Sequence, residues 1–299
     1  MIQEVFDIYE RNFPFIVRSK ETVLQILNHE ENIVIEHRDD QNKLIGVSVI
    51  NQNTILLLCV DKKYQNKGIG TKLLAMSENT IKNNGFDQIV LGNGFDYIMP
   101  GVPTSKRYFR AENENLYSDI DETASDFFTK RGYVHSWDCN CFDMRLPLNQ
   151  FERNAHHVGD TIDDITYRFA TLNDLKGICT CTDDACQEFT KFYQWKELYT
   201  PGNDSKVVIA VFHEEVVGTL IVGLEDDGKH FGSVGCTTVK PAYQGKHIAV
   251  NLVTIGTKYL KDIGVENAYL SYTYTGLDHM YGYAGYKICI YYMMAVKML

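Results

Sequence analysis

The 299 residues carry a formal net charge of −10, with 44% hydrophobic and 23% charged side chains. That length suits two domains of ordinary size, and the apolar fraction excludes global disorder. The acidic balance argues against a nucleic-acid backbone as partner, because such proteins present a basic surface, while it is compatible with a cationic acceptor such as an amine.

The N-terminal stretch MIQEVFDIYE carries acids where a signal peptide would be basic, and no apolar run approaches the roughly 20 residues that span a bilayer. A cytoplasmic chain without membrane contact is expected. Next come ENIVIE, the polar turn DDQNK, LIGVSVI and TILLLCV, which read as three successive antiparallel strands. A loop, Gln65 to Gly70, leads into an amphipathic helix over 70–84, and DQIVLG reads as a further strand. The segment around 94–120, GFDYIMPGVPTSKRYFRAENENLYSD, reads as an insertion stiffened by Pro100, Gly101 and Pro103. Its aromatics Tyr97, Tyr108, Phe109 and Tyr117 suit either a pocket wall or packing between domains, the second slightly preferred. A helix near DETASDFFTKRGYV and the strand FDMRL close this half.

Residues 151–163 are polar, include Gly159, His156 and His157, and read as a linker. The expected domains are therefore 1–150 and 164–299. In the second, KVVIAVF, VVGTLIVGL and FGSVGCTTV repeat the meander, a helix over 249–263 follows, NAYLSY is the next strand, and YYMMAVKM closes the chain. Both halves are mixed α/β.

The halves match residue by residue. Val60, Tyr64, Gln65, Lys67, Ile69 and Leu73 recur 179 positions later as Val239, Tyr243, Gln244, Lys246, Ile248 and Leu252, with Gly70 replaced by Ala249. A loop between a strand end and a helix start offers free N–H groups at the positive end of a helix, and Gly68 and Gly70 allow close approach, so phosphate or pyrophosphate is the natural occupant. Neither copy has the spacing of a Walker loop or of the GxGxxG turn.

The eight cysteines, Cys59, Cys139, Cys141, Cys179, Cys181, Cys186, Cys236 and Cys289, include no CxxC pair. His135 with Cys139 and Cys141 lacks a second ligand pair, so no metal is expected.

The turns QNKGIG and QGKHIA, each after a strand ending VxxxY, resemble the coenzyme A pyrophosphate turns of the GCN5-related N-acetyltransferase (GNAT) superfamily, and the likeness covers nearly the whole chain as a tandem pair. The resemblance implies two domains, each a mixed, mostly antiparallel sheet flanked by helices, and acetyl-CoA or another acyl-CoA as cofactor. It implies cofactor contacts at Cys59, Val60, Gln65, Asn66, Lys67, Gly68, Ile69 and Gly70. In the second half these are Thr238, Val239, Gln244, Gly245, Lys246, His247, Ile248 and Ala249, with Leu58 and Thr237 preceding them on the strands. Backbone N–H groups there would hold the thioester carbonyl. The acceptor would be a small-molecule amine or a protein amino group.

In this family a tyrosine four residues before a Gly-aromatic pair commonly protonates the departing thiolate. Tyr281, before Gly285 and Tyr286, fits; in the first half Phe128 stands there, before Gly132 and Tyr133, and phenylalanine donates no proton. The family's frequent Asn seven residues earlier is Asp121 in one half and Tyr274 in the other. The first half keeps the complete turn, whereas His247 replaces a glycine in the second. An N-acetyltransferase with Tyr281 as general acid is expected, with the first half binding coenzyme A or structural. A coenzyme A-binding tandem module without turnover, or catalysis in the first half, is the alternative. Glu225, Asp226 and Asp227 are candidates for the base by location alone.

Overall fold

In the computed structural model, the described residues are 1–92, 97–105, 124–152, 161–162, 164–225 and 228–299. Tyr108, Phe109, Tyr117, Asp121, His156, His157, Gly159, Asp226 and Asp227 lie outside them. The chain forms two compact units, Met1–Phe142 with Cys289–Leu299, and Asp143–Ile288.

The first unit opens with helices α1 (Ile2–Asn12) and α2 (Lys20–Leu27). Ser19 starts α2 by accepting the N–H of Thr22 at 3.1 Å, an N-cap that replaces one missing helical bond. Strands β1 (Ile33–Arg38), β2 (Leu44–Asn51) and β3 (Thr54–Val60) form the expected antiparallel meander. Helix α3 (Ile69–Asn83) buries Ile69, Leu73, Leu74, Ser77 and Ile81, one face at helical spacing. On that face Ser77 Oγ lies 2.8 Å from Leu73 O, to which it donates, and 2.8 Å from Ser48 Oγ, so the buried hydroxyl is satisfied. Then follow β4 (Gln88–Leu91), β5 (Val102–Thr104), helix α4 (Ala124–Thr129) and β6 (Val134–His135).

Strand β7 (Cys141–Pro147) enters the second unit at Asp143. That unit continues with β8 (Thr161–Ile162), β9 (Ile165–Phe169), α5 (Leu175–Ala185), α6 (Thr190–Tyr193), β10 (Lys206–Phe212), β11 (Glu215–Leu224) and β12 (Phe231–Val239). Helix α7 (Ile248–Asp262), β13 (Asn267–Tyr274) and α8 (Asp278–Gly282) complete it. Helix α7 is buried on nearly every side, and its interior threonines Thr254 and Thr257 return their hydroxyls to Val250 O and Val253 O at 2.8 and 2.7 Å. The chain ends with β14 (Lys287–Met293) and β15 (Ala295–Met298).

The sheet of the first unit has the order β1-β2-β3-β4-β15-β6, and that of the second runs β7-β13-β12-β11-β10-β9-β8. The closing strands thus differ from the sequence expectation. Domains divided as 1–150 and 164–299 would give FDMRL to the first sheet and YYMMAVKM to the second. Instead Asp143–Pro147 belong to the second unit, while β15 pairs with β4 from Ala295↔Leu91 to Met298↔Gln88 in the first. Met293 and Ala295, both 0% exposed, lie in the same apolar cluster as Leu73, Ile81 and Ile89. Burying a side chain the size of Met293 stabilises by about 1.5–3 kcal/mol, which favours this place for the terminal strand. No helix among the described residues is long and apolar enough to cross a membrane.

Candidate functional site

Each sheet contains a short parallel pair. Strands β3 and β4 are in register only at Thr54↔Val90; β12 and β13 are in register at Phe231↔Asn267, Gly232↔Ala268 and Ser233↔Tyr269. The pair Ser233↔Tyr269 is Thr54↔Val90 displaced by the same 179 positions as the turns, so the repeat extends through these strands. Beyond those pairs the strands part, and one edge of β3 and of β12 is left without a strand partner. Each unit therefore carries a fork whose long arm leads into a turn.

The turns share one backbone shape. In the first, Asn66 and Gly68 take positive φ of 59° and 81°; in the second, Gly245 and His247 take 77° and 58°. Gln65 Nε2 donates to Val60 O at 3.0 Å, and Gln244 Nε2 donates to Val239 O at 3.3 Å, tying each turn back to its strand. Lys67 sits over the ring of Tyr64 and Lys246 over that of Tyr243. Neither α3 nor α7 has a side-chain cap at its N-terminus, so the first N–H groups of both helices are left for a ligand. Gly68 serves a left-handed position, whereas Gly70 lies inside α3 with room for a methyl group, its nearest neighbour being Phe127 at 3.6 Å. Ala249 at the corresponding place is therefore no loss. His247 is exposed and holds the left-handed conformation that glycine would hold more cheaply.

Two glycines that the sequence reading passed over set the helices in place. Gly46 faces Val60, and Gly218 faces Val239, across the β2–β3 and β11–β12 ladders. A Cβ on Gly46 would meet Leu73 and Ile69 at 3.0 and 3.1 Å; on Gly218 it would meet Ile248 and Leu252 at 2.9 and 3.1 Å. Both glycines let the first turns of the helix settle onto the sheet beside the turn. They are 172 positions apart, not 179, because the following hairpins differ in length, so the constant offset does not reveal them.

The forks differ in chemistry. Both long arms bulge, β3 at Leu56 between the pairs Val49↔Leu57 and Ile50↔Ile55, and β12 where Thr219 faces Thr238 and Ile221 faces Gly235, so that Cys236 and Thr237 share Leu220. Cys236 adopts φ 50°, and its carbonyl accepts the hydroxyl of the fully buried Tyr193 at 2.6 Å. Beside this bulge stands Tyr281, on α8 and 6% exposed. Burial pushes its phenol up to about 12; Thr237 opposes the shift, and Cys236 and Tyr274 add to it. The Thr237 hydroxyl approaches the phenol closely enough to lower its pKa, yet Oγ1 is buried and closes no bond of regular geometry. Burial also pushes the thiol of Cys236 up to about 12 and that of Cys181 up to about 11, so neither supplies a thiolate near neutral pH. The arm β13 bends at Tyr272, φ 60°, where Asp143 receives the N–H of Tyr272 at 2.9 Å and the hydroxyl of Tyr269 at 2.6 Å. Asp143 is 1% exposed and holds this arm away from β12.

In the first unit the corresponding fork is apolar. It opens into a cleft lined by Thr54–Leu58 on one arm and Leu91 and Gly92 on the other. Phe128, where the second unit has its tyrosine, lines it and packs edge-on against Phe127 and Tyr133. Of the insertion, Tyr97 also lines the cleft, its ring under the guanidinium of Arg18 at 4.1 Å. Cys59 is buried on β3, its thiol pushed up to about 12. The remaining candidates fall elsewhere. His135 Nε2 meets the carbonyl of Cys139 at 3.2 Å, and no cluster of metal-ligating side chains occurs among the described residues. Glu225 uses its backbone N–H on Phe231 O at the end of the β11–β12 hairpin.

This duplicated fork and turn have counterparts. The description "Acetyltransferase (GNAT) domain" matches residues 8–92, and "Acetyltransferase (GNAT) family" matches residues 171–286, together two thirds of the chain. The chain belongs to the GNAT family. Among solved structures, the GNAT chain is similar over 99% of its length to a GCN5-related glucosamine N-acetyltransferase region of a fungal multi-domain β-N-acetylglucosaminidase, at 20% identity and TM-score 0.72. It spans about a third of that protein, 36%. It is similar to a tandem GNAT protein from the clavulanic acid biosynthesis pathway, at 12% identity, TM-score 0.71 and 99% and 94% coverage of the two chains. A GCN5-related N-acetyltransferase from Sphaerobacter thermophilus matches at 16% identity and TM-score 0.67, with 99% and 91% coverage. At such identities the likeness is one of fold. No curated protein matches the sequence.

Proposed function

We propose that this GNAT chain transfers an acetyl or other acyl group from acyl-coenzyme A to a primary amine, small or on a protein, and that the second unit carries the reaction. The observation that carries this reading is the asymmetry between the forks: one holds a buried phenol, the other a phenylalanine in an apolar cleft.

Residues Gln244–Ala249 fit a diphosphate, because the end of α7 is uncapped and Gly245 and His247 turn successive N–H groups outward. When bound, the cofactor supplies an activated thioester. Splayed from β13, β12 offers backbone N–H groups around Cys236, Thr237, Thr238 and Val239 to the carbonyl oxygen as negative charge grows there. The amine nitrogen forms its bond to the carbonyl carbon, the carbon–sulfur bond breaks, and Tyr281 Oη gives its proton to the departing sulfur. A pKa pushed up to about 12 keeps that proton in place at neutral pH. The proton of the amine leaves through solvent, since no carboxylate among the described residues of this fork is placed as base, and solvent returns a proton to the Tyr281 phenolate. The first unit binds coenzyme A on Gln65–Gly70 without turnover, in a cytoplasmic protein.

The test is release of free thiol from acetyl-CoA with a panel of primary amines. Wild type releases thiol and Tyr281→Phe binds acetyl-CoA normally but releases almost none. Binding of acetyl-CoA with no thiol release for any amine would leave a binding module and overturn the reading.

A further inference from the structure

We propose that Tyr193 is a positioning residue of the second unit: its hydroxyl holds the carbonyl of Cys236 and thereby aims the N–H of Thr237 at the thioester oxygen. This rests on the reading of the second unit as the reacting one, and it names Thr237 N–H as the donor among those of β12.

The register of β12 requires one peptide to leave the plane of the sheet. At one end Lys240 donates its N–H to Val217 O at 2.9 Å, and at the other Glu225 donates to Phe231 O at 2.9 Å. Peptide groups alternate in direction along an antiparallel strand, so Thr238 and Gly235 also turn theirs to β11, opposite Thr219 and Ile221. Those two residues lie an odd number of positions apart, and the alternation fails between them. The Cys236–Thr237 peptide takes up the mismatch, with Cys236 at φ 50°.

Tyr193 decides which way that peptide turns. It is fully buried on α6 and packs with Ile178, Cys181, Val207 and Ile209. Val207 and Ile209 face Ile221 and Thr219 in the β10–β11 ladder, so Tyr193 lies on that face of the sheet. From there its hydroxyl donates to Cys236 O at 2.6 Å. The peptide is trans and planar, with its C=O and N–H opposed, so the N–H of Thr237 points to the other face. Helix α7 covers that face, where a Cβ on Gly256 would meet Leu220 and Val234 at 2.8 and 3.0 Å. Tyr281 stands there too, packed on Tyr286, whose hydroxyl lies 2.8 Å from Thr257 Oγ1 on α7. One tyrosine thus sets the donor, and another on the opposite face supplies the proton. As the amine nitrogen bonds to the carbonyl carbon, the π pair moves to oxygen and is held by Thr237 N–H. It returns as the carbon–sulfur bond breaks and Tyr281 Oη protonates the sulfur. The first unit bulges at Leu56, but among the described residues of β3 none takes positive φ.

The experiment records the infrared spectrum of acetyl-CoA labelled with carbon-13 at the thioester carbonyl, bound to the full chain without amine, beside thiol release with the amine panel. Wild type should show a bound carbonyl band below that of free acetyl-CoA. Tyr193→Phe should lose that shift and lower kcat by roughly ten- to a hundredfold, somewhat less than the cost of removing an oxyanion donor outright. KM for acetyl-CoA should stay within about threefold, because the aimed N–H acts as charge grows on the oxygen. Acetyl-CoA on the first unit contributes a second band that the substitution should not move. Cys236→Val repeats the test should Tyr193→Phe fold poorly: a β-branched side chain is disfavoured at φ 50° and drives the peptide back towards the ladder with Tyr193 in place. A folded variant that keeps the shifted band, or that raises KM at unchanged kcat, overturns the proposal. So does a wild-type band at the position of free acetyl-CoA. A wild-type shift that Tyr193→Phe abolishes, without thiol release for any amine, overturns the reading of the second unit as reacting and leaves the aim of Thr237 N–H standing.

Discussion

Replacing Tyr281 by phenylalanine removes one oxygen from a ring that is 6% exposed and packs at 6.1 Å against Tyr286. The ring and its apolar contacts remain, and the hydroxyl closes no regular hydrogen bond with Thr237, so the change in stability should stay within about 1 kcal/mol. The effect on chemistry should be far larger. A positioned proton donor contributes typically a hundred- to ten-thousandfold, and the thiolate of coenzyme A would otherwise leave into an apolar wall formed by the substituted ring. Turnover should fall by about that factor with KM for acetyl-CoA unchanged, the split expected when an interaction forms only as the sulfur departs. The assay is continuous thiol detection at saturating amine, with melting temperature as the control for folding. A folded Tyr281→Phe enzyme that turns over within threefold of wild type would refute the role, because no packing effect restores a missing proton. The phenol also sets a pH signature. Its folded pKa, about 12, exceeds the ordinary 10, so the protonated form is favoured by folding. That stability is complete below pH 10 and is lost as pH rises towards 12, a loss that should be smaller in the phenylalanine variant, where buried tyrosines such as Tyr193 and Tyr286 still contribute theirs.

Asp143→Asn should lower the melting temperature and turnover together, because the buried carboxylate receives Tyr269 Oη and Tyr272 N. Each charged bond is worth about 1.5–3 kcal/mol, and unchanged thermal unfolding would contradict its role in holding β13. Gly218→Ala should cost about 1–3 kcal/mol by pressing a methyl group onto Ile248 at 2.9 Å and Leu252 at 3.1 Å, and should weaken coenzyme A at the second turn; denaturant unfolding and calorimetry measure both. His247→Gly should keep binding and stabilise by about 1 kcal/mol, whereas a loss of coenzyme A affinity would mean that the imidazole itself contacts the ligand. Phe128→Tyr should not rescue Tyr281→Phe, since it places a hydroxyl in an apolar cleft; recovered thiol release in the double variant would move catalysis to the first unit.

The meanders, the two long helices and the paired turns were legible because they rest on local signals: alternation, helical spacing and a constant offset. The register of the forks follows that offset to Val90 and Tyr269. The exchanged closing strands were not legible. FDMRL and YYMMAVKM read equally well as strands of either half, and only pairing across long sequence separation, such as Ala295 with Leu91, decides between them. The bulge at Cys236 was hidden for a similar reason, since Cys-Thr-Thr carries no turn chemistry, and its positive φ is held by Tyr193, which is 43 residues away. Tyr281 was found through its spacing to Gly285 and Tyr286, but its setting beside Thr237 depends on the fork.

The second turn shows what was retained when the halves diverged. His247 occupies the left-handed region at 58°, where a side chain costs about 1–2 kcal/mol relative to glycine. A turn serving only as a connection could relax to negative φ at that position. Here the neighbours prevent it: Gln244 is tied to Val239 O, Ile248 is 1% exposed, and Gly218 lets the start of α7 close onto the sheet. The backbone trace of an anion turn is thus maintained under strain in the unit that also has the tyrosine. In the first unit the turn is relaxed, with glycine at the left-handed position, and Phe128 stands in the fork where the second unit has Tyr281. On the proposed function, affinity and chemistry separate along that line, with coenzyme A held in the first unit and acyl transfer carried out in the second.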